Sequence, residues 1–220
     1  MKTIVVSDLH GLAFKPIYNK IKANIRDIQN IILLGDYVDS FDPTITSELQ
    51  INRLNKLVEI AKNDNRVKLL LGNHDLLYCS DREDRIKYRS FQKNYADIIG
   101  AIYKSNKELF SIVFQDDKYV YSHAGIHKQF MENNNFTNIE QINDLWKNYD
   151  IEKLEVFDDN VEEWEKYTPV RINWPDLIKD PWCKNQIVGH NDNLLGVTKA
   201  KNNIINIEVF NHGNLFILED

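Results

Sequence analysis

Five apolar runs in this chain each stop at a short polar motif. Ile4-Val5-Val6 leads into Ser7-Asp8-Leu9-His10-Gly11, and Ile31-Ile32-Leu33-Leu34 into Gly35-Asp36-Tyr37-Val38-Asp39. Val67 with Leu69-Leu70-Leu71 leads into Gly72-Asn73-His74-Asp75. Tyr119-Val120-Tyr121 leads into Ser122-His123-Ala124-Gly125, and Ile187-Val188 into Gly189-His190. Runs this short and this apolar are strands buried on both faces, which requires layers above and below them. The fold class is therefore α/β. Its Asp, Asn and His side chains gather at strand ends, where an α/β sheet presents its active-site loops.

The 220 residues are enough for one substantial core, so one domain over 1–220 is expected. A net charge of -6 supplies no basic footprint, which argues against sequence-independent binding to nucleic acid. The basic residues are scattered apart from a modest cluster at Arg82, Arg85, Lys87 and Arg89. Cys79 and Cys183 are far apart and outside any zinc-type spacing, as expected of reduced thiols in a cytoplasmic protein. No apolar run is long enough for a signal peptide or a bilayer span, so no membrane partner is expected.

Strand and helix alternate through the first half. Ile17, Ile21, Ile25 and Ile28 predict an amphipathic helix over Pro16 to Ile28, and Leu49, Leu54, Leu57, Val58 and Ala61 another over Thr46 to Lys62. Asp42-Pro43 and Thr44 are read as the turn and cap before the second. This order predicts a sheet with parallel strands and helical crossovers. Ile86, Phe91, Tyr95 and Ile98 predict a helix within Asp81 to Ile99, and Phe110 to Phe114 with Lys118 to Tyr121 predict a hairpin. An insert over about 128–185 reads as short helices and loops folded over the site. It holds all four tryptophans: Trp146, Trp164, Trp174 and Trp182. At least three of these are expected to pack in a core, with Trp174 the best placed to wall a substrate pocket. Gly196 to Asp220 reads as antiparallel strands, with Ile204–Val209 and Leu215–Leu218 joined by the turn at Asn211-His212-Gly213-Asn214.

The motifs predict a two-metal centre. Asp8 and His10 can reach one ion because Gly11 lets the backbone turn. The two oxygens of Asp36 can bind one ion each and hold them about 3.5–4 Å apart. The first ion then has Asp8, His10 and Asp36, and the second has Asp36, Asn73, His123 and His190. Such a pair lowers the pKa of a shared water, so that hydroxide can attack phosphorus near neutral pH without a covalent enzyme intermediate. His74 is read as the acid that protonates the leaving oxygen, with Asp39 holding its ring and raising its pKa. His127 and His212 are read as surface or packing residues.

Taken together, Asp-x-His-Gly, Gly-Asp-x-Val-Asp, Gly-Asn-His-Asp, His-Ala-Gly and Gly-His resemble the motif set of the calcineurin-like metallophosphoesterase superfamily. The resemblance spans residues 4 to 190 and lies nearest the phosphoprotein phosphatase and bacterial serine/threonine phosphatase branch. It implies a β-sandwich of two mixed sheets flanked by helices, with metals at the strand ends. The implied ligand and acid roles fall on the same residues. Ser40-Phe41 replace the Arg-Gly that phosphoprotein phosphatases carry after Gly-Asp-x-Val-Asp, and Leu71 stands where the eukaryotic branch often has an arginine. Arg171 is the candidate phosphate clamp in their place. Asp192 stands where phosphodiesterase branches have a second ligating histidine, and is read as a turn-capping residue.

The implied activity is hydrolysis of a phosphate monoester, a phosphoprotein among the candidate substrates, with Mn2+ foremost and Fe, Zn, Co or Ni as alternatives. The runner-up activities are nucleotide phosphodiesterase and diadenosine polyphosphate hydrolase. A catalytically silent binding scaffold is the remote alternative, disfavoured because all the metal and acid residues are present.

Overall fold

The computed structural model describes residues 1–81, 90–155, 166–192, 196–208 and 213–219. The predicted runs form the strands of two sheets. β1 (Lys2–Val6), β2 (Ile28–Leu33), β3 (Val67–Leu70) and β4 (Phe110–Ser111) lie parallel, and β10 (Leu215–Glu219) adds to β1 antiparallel, in the order β10-β1-β2-β3-β4. The second sheet is also mixed. It contains β5 (Val113–Gln115), β6 (Val120–Ser122), β7 (Gln186–Val188), β9 (Ile205–Asn206) and β8 (Thr198–Lys199) in that order.

Alternation along the strands explains why both faces had to be apolar. Val5, Ile32, Leu34 and Leu70 point inward and pack with Tyr121, Ile187 and Ile205 of the second sheet. Ile4, Val6, Ile31, Leu33 and Leu69 point outward, in the same core as α1 (Phe14–Asn24), α2 (Ser47–Asn63), α3 (Asn73–Leu77) and α4 (Ala96–Ser105). A smaller cluster, Ala124, Ile172, Leu177, Val188 and Ile204, lies around α7 (Trp174–Leu177).

Several predicted elements differ from those observed. α1 ends at Asn24, and Ile28 opens β2, because the Asp27 carbonyl must accept the Lys2 N–H to set the β1–β2 register. The cap of α2 is Thr46, whose hydroxyl accepts from Leu49 N at 3.3 Å, while Thr44 is held by Asp42 in the preceding turn. The predicted helix after Asp81 is observed only from Ala96, after a 3-10 turn at Lys93–Tyr95. Its earlier part, with the basic cluster at Arg82, Arg85, Lys87 and Arg89, lies outside the described residues.

Phe110 to Phe114 is not one strand. β4 and β5 belong to different sheets, and Asn143 bridges the break by accepting Ile112 N at 2.9 Å and Val113 N at 3.0 Å. The hairpin itself forms, between β5 and β6. β10 is antiparallel to β1, but β9 is antiparallel only to β8 and lies parallel to β7, and β9 and β10 do not pair with each other. β9 joins the second sheet and β10 the first, so the predicted turn is a crossover, with His212 outside the described residues.

Much of the insert does not cover the site. α5 (Lys128–Asn133) and α6 (Ile139–Lys147) bury Phe130, Met131, Ile142 and Trp146 in the main core. Among the described residues, the stretch around Arg171 reaches the motif loops, with Ala124 N donating to the Pro169 carbonyl and Trp174 N to Asn191 Oδ1. Trp182 packs against the main core and Trp174 against the smaller cluster, while Trp164 lies outside the described residues.

Candidate metal centre

The loops that carry His10, Asp36 and His190 turn sharply as they leave their strands. His10 (φ 40), Asp36 (φ 52), Asp39 (φ 65) and His190 (φ 64) all have left-handed backbone, as do Gly11 (φ 82) and Gly35 (φ 113). The predicted turn at Gly11 thus begins one residue earlier, at His10. Asp75, fully buried, fastens two of these loops together. Its carboxylate accepts Asp36 N at 2.7 Å, Tyr37 N at 2.9 Å, Gly72 N at 2.9 Å and the Tyr103 hydroxyl at 2.5 Å. Gly72 is required by closeness alone: a Cβ there would lie 2.1 Å from Asp36 Oδ1 and 2.8 Å from His123 Cε1.

Two donor groups meet at Asp36. One is His10, Asp36 and His74, the other Asp36, His123 and His190, with ligand atoms inside each group within 4.8 Å of one another. Asp36 Oδ2 lies 3.6 Å from His10 Nε2 and 3.5 Å from His123 Nε2. Oδ1 accepts the His74 backbone N–H at 3.0 Å. Oδ2 thus faces both imidazoles, while Oδ1 accepts the His74 N–H.

The proton positions of the rings follow from their carbonyl partners. His123 Nδ1 donates to the Leu34 carbonyl at 2.9 Å and His10 Nδ1 to the Asp39 carbonyl at 3.3 Å, so each presents a bare Nε2. His123 Nε2 lies 3.0 Å from Asn73 Oδ1 and 3.1 Å from His190 Nδ1. Metal bonds of about 2.0–2.2 Å put neighbouring ligand atoms about 3 Å apart, so this spacing suits a transition ion. The electrostatics agree. Burial, then the His190 charge, push His123 well below the usual imidazole range, and burial, then Arg171, push His190 down to about 3. Both rings are thereby kept neutral, the form that ligates. Burial also pushes the Asp8 and Asp36 carboxyls well above their ordinary range, a cost that a divalent cation relieves.

Asp8 is buried at the centre but outside both groups. Its carboxylate lies 3.6 Å from His123 Nδ1 and accepts the His190 N–H at 3.2 Å. The structure therefore brings Asp36, Asn73, His123 and His190 together, and sets His74 beside His10 and Asp36.

His74 and Asp39 form the expected pair. His74 Nδ1 donates to Asp39 Oδ2 at 2.9 Å, leaving Nε2 for other work. Asp39 Oδ1 accepts the Tyr78 hydroxyl and Gln92 Nε2. Burial opposes charge on the His74 ring. Asp36 foremost, then Asp39 and Asp75, outweigh that and hold the ring up to about 9. Phe41 is 64% exposed, and its ring centre lies 5.1 Å from that of His10 and 6.2 Å from that of His74.

Arg171 stands at the rim of the second group. Its guanidinium meets Glu155 Oε1 at 2.6 Å, and its backbone bonds the His190 ring. Asp192 is exposed and in neither donor group. His127 is buried away from the centre, accepting Gln129 N at 3.1 Å as the cap of α5.

The family profile described as calcineurin-like phosphoesterase matches residues 1–195. The chain belongs to that family. It is a metal-dependent phosphoesterase, a hydrolase, of a family that generally uses divalent ions. No curated protein matches it. Among solved structures, the phosphoesterase is similar to the cold-active protein-tyrosine phosphatase of a psychrophilic Shewanella species. Identity is 16% and the TM-score 0.65, covering 100% of this chain and 75% of that one. A point mutant of a cold-active protein tyrosine phosphatase gives 15% and 0.65 with the same coverage. At such identities the likeness is one of fold. No helix among the described residues is long and apolar enough to cross a membrane.

Sequence reasoning gave no role to Asp75, Tyr78, Gln92, Glu155 or Glu208. Asp75 ended a quoted motif and could have been noticed. Glu155 and Gln92 carry no local signal. Glu208 shares a polar face with Asn206 in an otherwise apolar alternation, which is a faint one.

Proposed function

We propose that this phosphoesterase hydrolyses phosphate monoesters, phosphoproteins among them, at a pair of divalent transition ions, with manganese foremost. The observation that carries the reading is the meeting of two donor groups on one oxygen of Asp36. In this reading Asp8, His10 and Asp36 would hold the first ion, and Asp36, Asn73, His123 and His190 would hold the second. When bound, such ions neutralise phosphate charge and acidify a water molecule. Arg171 grips the non-bridging phosphate oxygens, its guanidinium braced by Glu155. As the water oxygen bonds to phosphorus and the ester P–O bond breaks, His74 Nε2 gives its proton to the departing oxygen. Asp39 steadies the ring through Nδ1.

A phosphate dianion suits a centre with the Arg171 guanidinium at its rim. Phe41, standing where related phosphatases carry Arg-Gly, offers an apolar face beside His74 for the leaving group. The similar solved structures are named as protein tyrosine phosphatases, a monoesterase activity, which supports the same reading.

Rates with Mn2+ on p-nitrophenyl phosphate, bis-p-nitrophenyl phosphate and diadenosine tetraphosphate test it. The monoester is expected to be turned over fastest, and a preference for the diester or the dinucleotide overturns the substrate assignment. Arg171→Ala is expected to weaken inhibition by inorganic phosphate about 10-fold or more, the effect of losing a charge-assisted hydrogen bond pair. Unchanged inhibition removes Arg171 from the clamp.

A further inference from the structure

Glu208 lies beyond the family match, which ends at residue 195, and just past β9. Its side chain is fully buried, and Oε2 accepts the Asp8 backbone N–H at 3.2 Å across 200 residues of sequence. The connections around it converge on the centre. Glu208 N donates to Asn206 Oδ1 at 2.9 Å, and Asn206 Nδ2 donates to the carbonyl of Asn191, the residue after His190, at 2.7 Å. The same C-terminal stretch holds the other side of Asp8, because Gly213 N donates to the Asp8 carbonyl at 2.7 Å. Both peptide groups of Asp8 are therefore fixed from the C-terminal part of the chain.

A neutral Gln would accept that N–H as well as Glu does. The carboxylate instead sets a second buried acid against Asp8, with Oε2 on the Asp8 backbone N–H. Buried like charges cost stability unless a cation joins them. Outer groups that orient and charge a ligand govern how tightly its metal is held.

We propose that Glu208 is a positioning residue of the first ion's site, fixing the Asp8 loop through its N–H and adding negative charge that tightens divalent binding there. This rests on the two-ion reading above.

The test is calorimetric titration of Mn2+ into metal-free full-length protein, wild type and Glu208→Gln, with melting curves of both in chelator. In the variant one of two binding steps weakens by about 10–100-fold and the other is unchanged. The metal-free variant also melts higher than metal-free wild type, since a buried acid packed against Asp8 is gone. A merely structural glutamate gives the opposite pair of results, a lower metal-free melting temperature with unaltered Mn2+ affinity, and that overturns the assignment. A wild-type isotherm with fewer than two ions overturns the two-ion reading and this inference together. A two-ion wild type matched by the variant overturns only the role of Glu208. Should Glu208→Gln not fold, Glu208→Asp, which keeps the charge, is expected to retain both steps; loss of one overturns the role of charge.

Discussion

Replacing His74 with Asn lowers kcat by about 10²–10⁴-fold, the usual contribution of a positioned acid, and leaves divalent-ion content unchanged. Asn keeps a group able to meet Asp39, where His74 Nδ1 now lies 2.9 Å from Oδ2, but has no proton to deliver from Nε2. The pH profile supplies a second readout. The active form of an acid is the protonated one, so turnover is expected to fall as pH rises through the ring's pKa. That pKa is held up to about 9 by the surrounding carboxylates, and bound cations will bring it lower. The variant should lose this alkaline limb. Ion content is measured by metal analysis of the same samples. A loss of ions that tracks the loss of rate would show instead that His74 is a ligand, a role its nearness to His10 and Asp36 makes worth excluding.

Asp75→Ala carries the largest expected loss of stability. Three buried backbone N–H groups, of Asp36, Tyr37 and Gly72, and the Tyr103 hydroxyl would all lose their acceptor. Each orphaned donor costs about 1–3 kcal/mol, but relaxation and water entry make the sum smaller than four full penalties. A net loss of about 3–5 kcal/mol is expected. For a chain of this size that corresponds to about 6–20 °C in Tm, read by calorimetry or circular dichroism. Asp75→Asn, which keeps an acceptor oxygen, should lose much less. Equal losses in the two variants would mean that charge, not hydrogen bonding, holds the two loops together.

The sequence made the centre readable because its parts are local. An apolar run shows where a strand ends, and the residues after it show what is delivered there. This identified the parallel strands, the His74–Asp39 pair and the gathering of His123, Asn73 and His190 around Asp36. What stayed hidden depends on partners far along the chain. The break between β4 and β5 is invisible in Phe110–Phe114, since Asn143, about thirty residues later, satisfies the backbone there. The separation of β9 from β10 likewise follows from β1 needing a neighbour on its open side. Nothing in the Asp36 motif reveals that the His74 N–H reaches its Oδ1. Glu208 is the extreme case, tied to a residue at the opposite end of the chain.

Four side chains of the centre sit on left-handed backbone that glycine would occupy at ease: His10, Asp36, Asp39 and His190. Each such residue costs of the order of 1 kcal/mol relative to an unstrained one. Laboratory selection for heat resistance alone would therefore be drawn to these four positions first, and would harvest robust but inert proteins. Any thermostabilisation campaign on this scaffold has to screen turnover in the same round.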